Sequence, residues 1–388
     1  MFWIFLRLGC TSFGGPVAHL AYFRDEFVTR RQWFSETEYT NLIALCQVIP
    51  GPASSQVGAA IGHARGGYWG ALAAWLGFTL PSAVIMTLAA VSLTLAQFSL
   101  PWLINGLKLA AVVIVMHAVT GMFHSLCRNT FTRVVCVLAG LAFLLLPMAF
   151  YIQLGAILLG ALASYLFHST KIETPPEDVH SERQPLRLST TTLLLALCGG
   201  LFILFAFLST SSTGLMLAEG MYRSGGLVFG GGHVVLPLLH SEFVNTDLVT
   251  NSDFLAGYGV AQVLPGPLFT FASFIGAIAI PQTPIIGAIV ATISIFLPGM
   301  LLLFALLPVW AHFQSSTLLR HSLVGINAVV VGLLAATLIE PIGTSAVNST
   351  ANIIILLLAS AALFRFKWHP VAVATLCVVC SGLASISL

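Results

Sequence analysis

Charged residues are scarce: 7% of the 388 residues are Asp, Glu, Lys or Arg, against roughly 25% in an average soluble domain. A chain this poor in charge does not read as a water-exposed globule. It also lacks any basic cluster interleaved with aromatics, so the formal net charge of +2 points to no nucleic-acid partner. No HExxH, no GxSxG and no metal-like His/Cys/Asp cluster occurs, which leaves no expected catalytic residue, metal or cofactor and argues against an enzyme. The seven cysteines are scattered through apolar stretches; Cys377 and Cys380 have CxxC spacing but no further ligand nearby, so a redox or metal role is not expected. The opening MFWIFLRLGC has no basic segment ahead of its apolar part and no small-residue cleavage site. It is expected to belong to the fold and not to a signal peptide.

What is present is apolar: 58% hydrophobic residues and a mean hydropathy of +0.98. A helical span needs about 20 apolar residues, and such runs follow one another almost end to end. Short alternating segments of a β-barrel are absent. The expectation is an all-α polytopic membrane protein.

The one linker-like stretch, His168 to Arg187, holds two adjacent prolines and seven charged residues. On either side of it the same signals recur in the same order: FGG at Phe13 and Phe229, EFV at Glu26 and Glu242, QVxPGP at Gln47 and Gln262, LP at Leu80 and Leu297. The offsets are 216, 216, 215 and 217. The chain therefore reads as a tandem duplication, with a first repeat over 1–167, a cytoplasmic linker and connecting helix over 168–213, and a second repeat over 214–388. Each repeat divides into six apolar elements, near 2–21, 38–63, 68–96, 103–123, 131–147 and 149–167 in the first, with counterparts starting at 214, 252, 284, 318, 350 and 369. An extra helix, about 189–208, stands between them. Seven elements thus separate equivalent positions, and an odd number inverts the second half relative to the first.

Lys and Arg test this, because short cytoplasmic loops carry an excess of them. With the N-terminus inside and every element spanning, the loop with Arg24, Arg30 and Arg31 falls outside. If the first two elements of each half are instead re-entrant hairpins, every loop Lys and Arg becomes cytoplasmic, and this arrangement is preferred. Both versions put the C-terminus outside.

Irregular backbone at membrane depth is tolerated only where it lines a cavity or is buried in protein. The two Pro-Gly-Pro breaks, Pro50-Gly51-Pro52 and Pro265-Gly266-Pro267, should therefore face a site. Pro50 stops one half-helix, Gly51 permits an unusual turn, and Pro52 suits the first turn of the next. The new helix then starts with free amides, a setting that binds oxyanions, and Ser54 and Ser55 add hydroxyls, with Thr270 in place of Ser55 in the second copy. Gly14 and Gly15, and Gly230 and Gly231, offer a similar arrangement. Gln47 and Gln262 precede each break, where they either donate to an anion or tie down the backbone. Arg7 and Arg223, each six residues ahead of its FGG, are charges inside apolar elements, which defaults to function; the alternative for Arg7 is snorkelling to headgroups.

The paired FGGP/FGGG and QVIPGP/QVLPGP motifs, the run GYWGALAAWLGFTLPS and the two-half layout resemble the chromate transporter family in its long two-domain form, over essentially the whole chain. The resemblance implies a multi-pass carrier of the bacterial inner membrane that exports chromate, a sulfate-like dianion, using the proton motive force. A sulfate or other oxyanion permease and an anion channel are the rivals, and a homodimer stays open. Candidate proton carriers are Glu26, Glu242, His19 and His233, each weighed against a bland reading: a solvated loop carboxylate for the glutamates and a packing histidine for the others. His63 and His117 are weighed as packing histidines too. Lys108, matched by Asn327 in the repeat, hints that the halves do not do identical work.

Overall fold

A computed structural model describes residues 1–95, 101–146, 150–167, 188–208, 212–229, 232–310 and 316–386. The linker His168 to Arg187 and the pair Gly230 and Gly231 lie outside the described residues. All regular structure among the described residues is helical. Apolar interiors are started by polar caps: the Ser35 hydroxyl accepts from the Glu38 amide at 3.2 Å while the Glu38 carboxylate accepts from the Ser35 amide at 2.7 Å. Asn129 caps in the same way, and the Thr250 and Ser349 hydroxyls accept from amides three residues on. Each satisfies a helix-end donor that hydrocarbon could not.

The helices of the first half are α1 (Phe2–Thr11), α2 (Gly15–Arg24), α3 (Glu36–Val48), α4 (Ala53–Leu95), α5 (Pro101–Leu126), α6 (Thr130–Leu145) and α7 (Phe150–Phe167); α8 (Leu188–Leu208) follows. The second half repeats the series as α9 (Thr213–Gly225), α10 (Val235–Phe243), α11 (Asn251–Val263), α12 (Phe271–Ala279), α13 (Pro284–Leu306), α14 (Thr317–Thr337), α15 (Thr350–Ser360) and α16 (Pro370–Ile386). The count differs by one because α4 is two limbs. Gly66 and Gly67 leave helical geometry, Gly67 at φ +58°, and the limbs fold back so tightly that a Cβ on Gly62 would sit 2.4 Å from the Gly70 carbonyl oxygen. The α12–α13 turn repeats this, with Gly276 at 2.2 Å from the Gly287 oxygen.

The element expected over 2–21 is two short helices folded back on each other. Phe5 of α1 meets Phe23 of α2 edge-on at 5.6 Å, which closes a hairpin whose tip is Phe13-Gly14-Gly15. Each limb has 10 residues, about 15 Å at 1.5 Å per residue, half of a ~30 Å hydrocarbon layer. The PGP segment folds back likewise. Arg65, at the end of the first α4 limb, lies 4.7 Å over the Trp33 ring just before α3, and Arg31 lies over the same ring at 5.2 Å. The two motifs thus form the tips of helical hairpins.

The long limbs of the two halves, α4 after Gly67 and α13, cross antiparallel. Tyr68 meets Phe304 at 5.3 Å and Trp75 meets Phe296 at 5.6 Å, so numbers rise along one as they fall along the other. The remaining helices interlock. α14 packs on α6 and α7 of the first half, while α5 packs on α15 and α16 of the second. A single apolar core contains residues of both halves. Asn105 and Asn352 exchange side-chain hydrogen bonds of 2.9 and 3.2 Å across it. α8 is fastened to the second half, where the Tyr222 hydroxyl donates to the Cys198 carbonyl at 2.9 Å and Thr191 to that of Ala305 at 3.0 Å.

Among the described residues, four helices are long and apolar enough to cross a membrane, within Ala53–Thr94, Pro101–Leu126, Pro284–Leu306 and His321–Ala346; in the first, the limb after Gly67 has the length. Large apolar side chains such as Leu141, Leu158, Leu193 and Phe207 stand exposed on the outer helices, an arrangement suited to lipid and costly in water.

The glycine contacts between halves set a test. A Cβ on Gly325 of α14 would fall 1.9 Å from the Gly160 oxygen of α7, whereas one on Gly66 meets nothing within 4 Å. Gly325→Ala is expected to cost about 1–3 kcal/mol through overpacking, seen as a lower thermal unfolding midpoint in detergent, with Gly66→Ala close to wild type.

Candidate functional site

The two kinds of hairpin tip meet crosswise between the halves. The Gly51 amide donates to the Val228 carbonyl at 2.8 Å, and the Gly266 amide donates to the Ser12 carbonyl at 2.9 Å. Val228 and Ser12 are equivalent positions, each just ahead of its FGG, so each half's PGP is tied to the other half's FGG. Between them, Pro16 Cγ comes within 3.4 Å of where a Cβ on Gly232 would be, and these two positions are also equivalents. A two-fold relation of this kind is the hallmark of an isologous interface. Gly51 holds φ +127° and Gly266 φ +94°, left-handed values that favour glycine. A Cβ on Gly51 would also lie 3.0 Å from the Gly299 Cα.

Polar side chains at this crossing come almost entirely from the first half. His19 Nδ1 lies 3.3 Å from Ser54 Oγ. The Gln56 side-chain amide donates to the carbonyls of Pro50 and Gly299, both at 3.0 Å, bridging the break to α13. Ser12, His19, Ser54, Ser55 and Gln56 are all buried, as is Thr79 next along the chain from Phe78, whose ring faces His19 at 5.3 Å. Four of their polar atoms, Ser12 Oγ, Ser55 Oγ, Gln56 Oε1 and Thr79 Oγ1, have no hydrogen-bond partner among the described residues, while the His19 ring lies in hydrogen-bonding reach of the Ser12 backbone. Buried groups of this kind are normally satisfied, so a concentration of them marks a place for a polar guest. In the second half the equivalents are Val228, Val235, Phe269, Thr270, Phe271 and Phe296. Thr270 is the one polar member, and its hydroxyl donates to the Pro267 carbonyl at 2.8 Å.

The other residues singled out from the sequence lie apart from the crossing or are engaged. Arg223 is held by Glu219 and Glu242, with its Nε donating to Glu242 at 3.0 Å. Its charge is therefore matched within the chain. Arg7 is exposed and borders a cavity of about 380 Å³, whose lining includes Trp3, Tyr22, Asp25, Glu26, Arg30 and Arg31 and no residue of either PGP break. The loop-carboxylate reading of Glu26 and Glu242 is corrected. Their side chains are only 14% and 10% exposed, and Glu26 accepts from Arg30 at 2.8 Å and from Arg31 at 2.6 Å. Burial raises the Glu26 pKa, and Arg31 and Arg30 together more than offset it, holding the carboxyl below its usual value.

Gln47 is exposed at the end of α3, and Gln262 hydrogen-bonds with Tyr258. His63 packs between Tyr68 and Phe304, and His117 against Phe364, both as packing histidines. The side chain of His233 lies outside the described residues. Ser12, Gln56, Thr79 and Glu219 went unnoticed in the sequence. Aligning the repeats position by position, and asking where a polar residue faces an apolar equivalent, finds the first three.

The family model described as "Chromate transporter" matches residues 1–165 and 215–384. An uncharacterized transporter of Methanocaldococcus jannaschii is 29% identical over 344 residues, covering 88% of this chain and 83% of the relative. The chromate transport protein of Pseudomonas aeruginosa is 26% identical over 395 residues (98% and 90%), and that of Cupriavidus metallidurans 25% over 372 (94% and 87%). No solved structure matches the chain.

Gln56→Leu would strand the Pro50 and Gly299 carbonyls, each buried acceptor costing about 1–3 kcal/mol. A clear fall in the thermal midpoint of the purified protein is expected; an unchanged midpoint would show that the bridge contributes nothing.

Proposed function

Taking as premise that the chain belongs to the chromate transporter family, we propose that it carries chromate or a similar tetrahedral oxyanion across a bacterial inner membrane. The bound anion sits at the crossing of the FGG and PGP tips. The observation that carries this is the set of buried, unpartnered polar atoms at that crossing, together with the helix start at Ala53-Ser54-Ser55, whose free amides favour an anion. Chromate comes from the printed names of the relatives. Donors to the anion are the Ser12, Ser54 and Ser55 hydroxyls, with the backbone amides of Ala53, Ser54 and Ser55 at the helix start after Pro52 and the amides of Gly14 and Gly15; Gln56, whose side-chain amide is spent on two carbonyls, holds the break in place. Arg223, neutralised by two carboxylates, takes no part.

The transport cycle follows from the two-fold relation. Two halves crossing antiparallel, each with a long limb of spanning length, fit an inverted repeat whose axis lies in the membrane plane. Rocking of one half against the other then exposes the crossing to each side in turn. Arg31 and Arg65 on one indole support the hairpin topology in which the basic loops share the cytoplasmic side with the N-terminus, leaving the C-terminus periplasmic. His19 is the titratable group at the crossing, and it takes the coupling proton as the anion leaves. Glu26 and Glu242 are committed to arginines.

Inverted membrane vesicles separate the readings. Labelled chromate is expected to accumulate in them when a proton gradient is imposed and to stop accumulating when the gradient is dissipated. Accumulation of sulfate instead would make it a sulfate permease, and large currents indifferent to the gradient would make it a channel. The Ser54→Ala, Ser55→Ala double variant is expected to lose roughly tenfold or more of the initial rate, the scale of losing hydrogen bonds to a charged ligand. Wild-type rates in that variant would remove the crossing as the site. His19→Gln is expected to retain anion exchange while losing its response to the gradient.

A further inference from the structure

The pocket beside Arg7 plays no part in that cycle, and comparison with its equivalent in the second half gives it a role. Arg7, Glu26 and Trp3 border one cavity; 216 positions on stand Arg223, Glu242 and Glu219. In the second half both carboxylates grip the arginine. In the first half Glu26 is taken by Arg30 and Arg31, whose equivalents Thr246 and Asp247 are not cations. Trp3 stands where Glu219 would be. Arg7 consequently makes no ion pair among the described residues, beside a cavity of about 380 Å³ that dwarfs the ~30 Å³ share of a water molecule.

We propose that the Arg7 pocket is a second anion site, which takes the phosphate of a phospholipid headgroup or a free tetrahedral oxyanion, and that Glu219 plugs the equivalent site in the second half. The Glu219 carboxylate occupies in α9 the place that an external anion takes in α1. Guanidinium forks match such oxygens bidentately, and three arginines line the pocket against Asp25 and Glu26. Trp3 is 77% and Tyr22 40% exposed, amphipathic rings of the kind found at headgroup level.

The test transplants the plug. Trp3→Glu sets a glutamate four residues ahead of Arg7, a favourable helical pair, so the fold is not endangered. Binding is measured on the full chain in neutral detergent, in the Ser54→Ala, Ser55→Ala background so that the crossing does not contribute. The probes are dioctanoyl phosphatidylglycerol, sulfate, and dioctanoylglycerol as the phosphate-free control. Phosphatidylglycerol or sulfate is expected to bind and dioctanoylglycerol not to; Trp3→Glu and Arg7→Gln are each expected to weaken binding roughly tenfold or more, and Trp3→Phe to retain it. Phosphatidylglycerol binding that sulfate fails to displace identifies the lipid source, and sulfate binding the free one. If neither probe binds, or Trp3→Glu binds like the parent, the proposal is overturned. The outcome is independent of whether the crossing transports chromate.

Discussion

A backbone amide in hydrocarbon must find a partner, and this fold is arranged around that demand. At each PGP tip the glycine amide donates to a carbonyl of the other half. Gly51 finds Val228 and Gly266 finds Ser12. Because the exchange is reciprocal, neither break is satisfied unless both halves are in place. The interlocking of α5 with α15 and α16, and of α14 with α6 and α7, carries the same reciprocity out to the periphery.

Symmetry of backbone is combined with asymmetry of side chain. The hairpins, turns and glycine contacts repeat from half to half, down to Gly62 with Gly70 and Gly276 with Gly287. The chemistry does not repeat. One PGP is dressed with serines, glutamine and a nearby histidine, the other with phenylalanines. One arginine opens to a cavity and the other is sealed by carboxylates. Similar backbone settings in the two halves carry different side chains, polar capacity on one side and packing on the other. Phe269, Phe271 and Phe296 pack among aromatic neighbours, Phe269 against Phe296 and Phe271 against Phe254, and offer no hydrogen-bonding group at the second tip.

Much of this was legible in the sequence, and for identifiable reasons. The duplicated FGG and PGP punctuate the chain with residues whose backbone preferences are extreme, so the breaks at these motifs and their spacing could be read directly, whereas the elements expected between them divide further, the one over 2–21 into two helices. The positions of Arg24, Arg30 and Arg31 suggested hairpins for the first two elements, and both fold back on themselves among the described residues. Side-chain pairing was harder to see. Arg223 looked like a free intramembrane charge because Glu242 is 19 residues away along the chain, and only the fold-back at the FGG tip brings them together. Gln56 was overlooked because its partner, Gly299, is 243 residues distant. The break from 12 to 14 was hidden inside an apolar element because Ser12 and Phe13 do not interrupt hydropathy.

The packing of α14 into the first half has a bearing on biogenesis. Synthesis runs from the N-terminus, so α6 and α7 emerge long before the helix that fills the space beside them. Until α14 arrives, Gly160 and Gly140 lack the helix that packs on them, and the first PGP tip has no partner for its Gly51 amide until Val228 of the second half has been made. The packing of the early half is therefore complete only once a helix from the last quarter of the chain is in place.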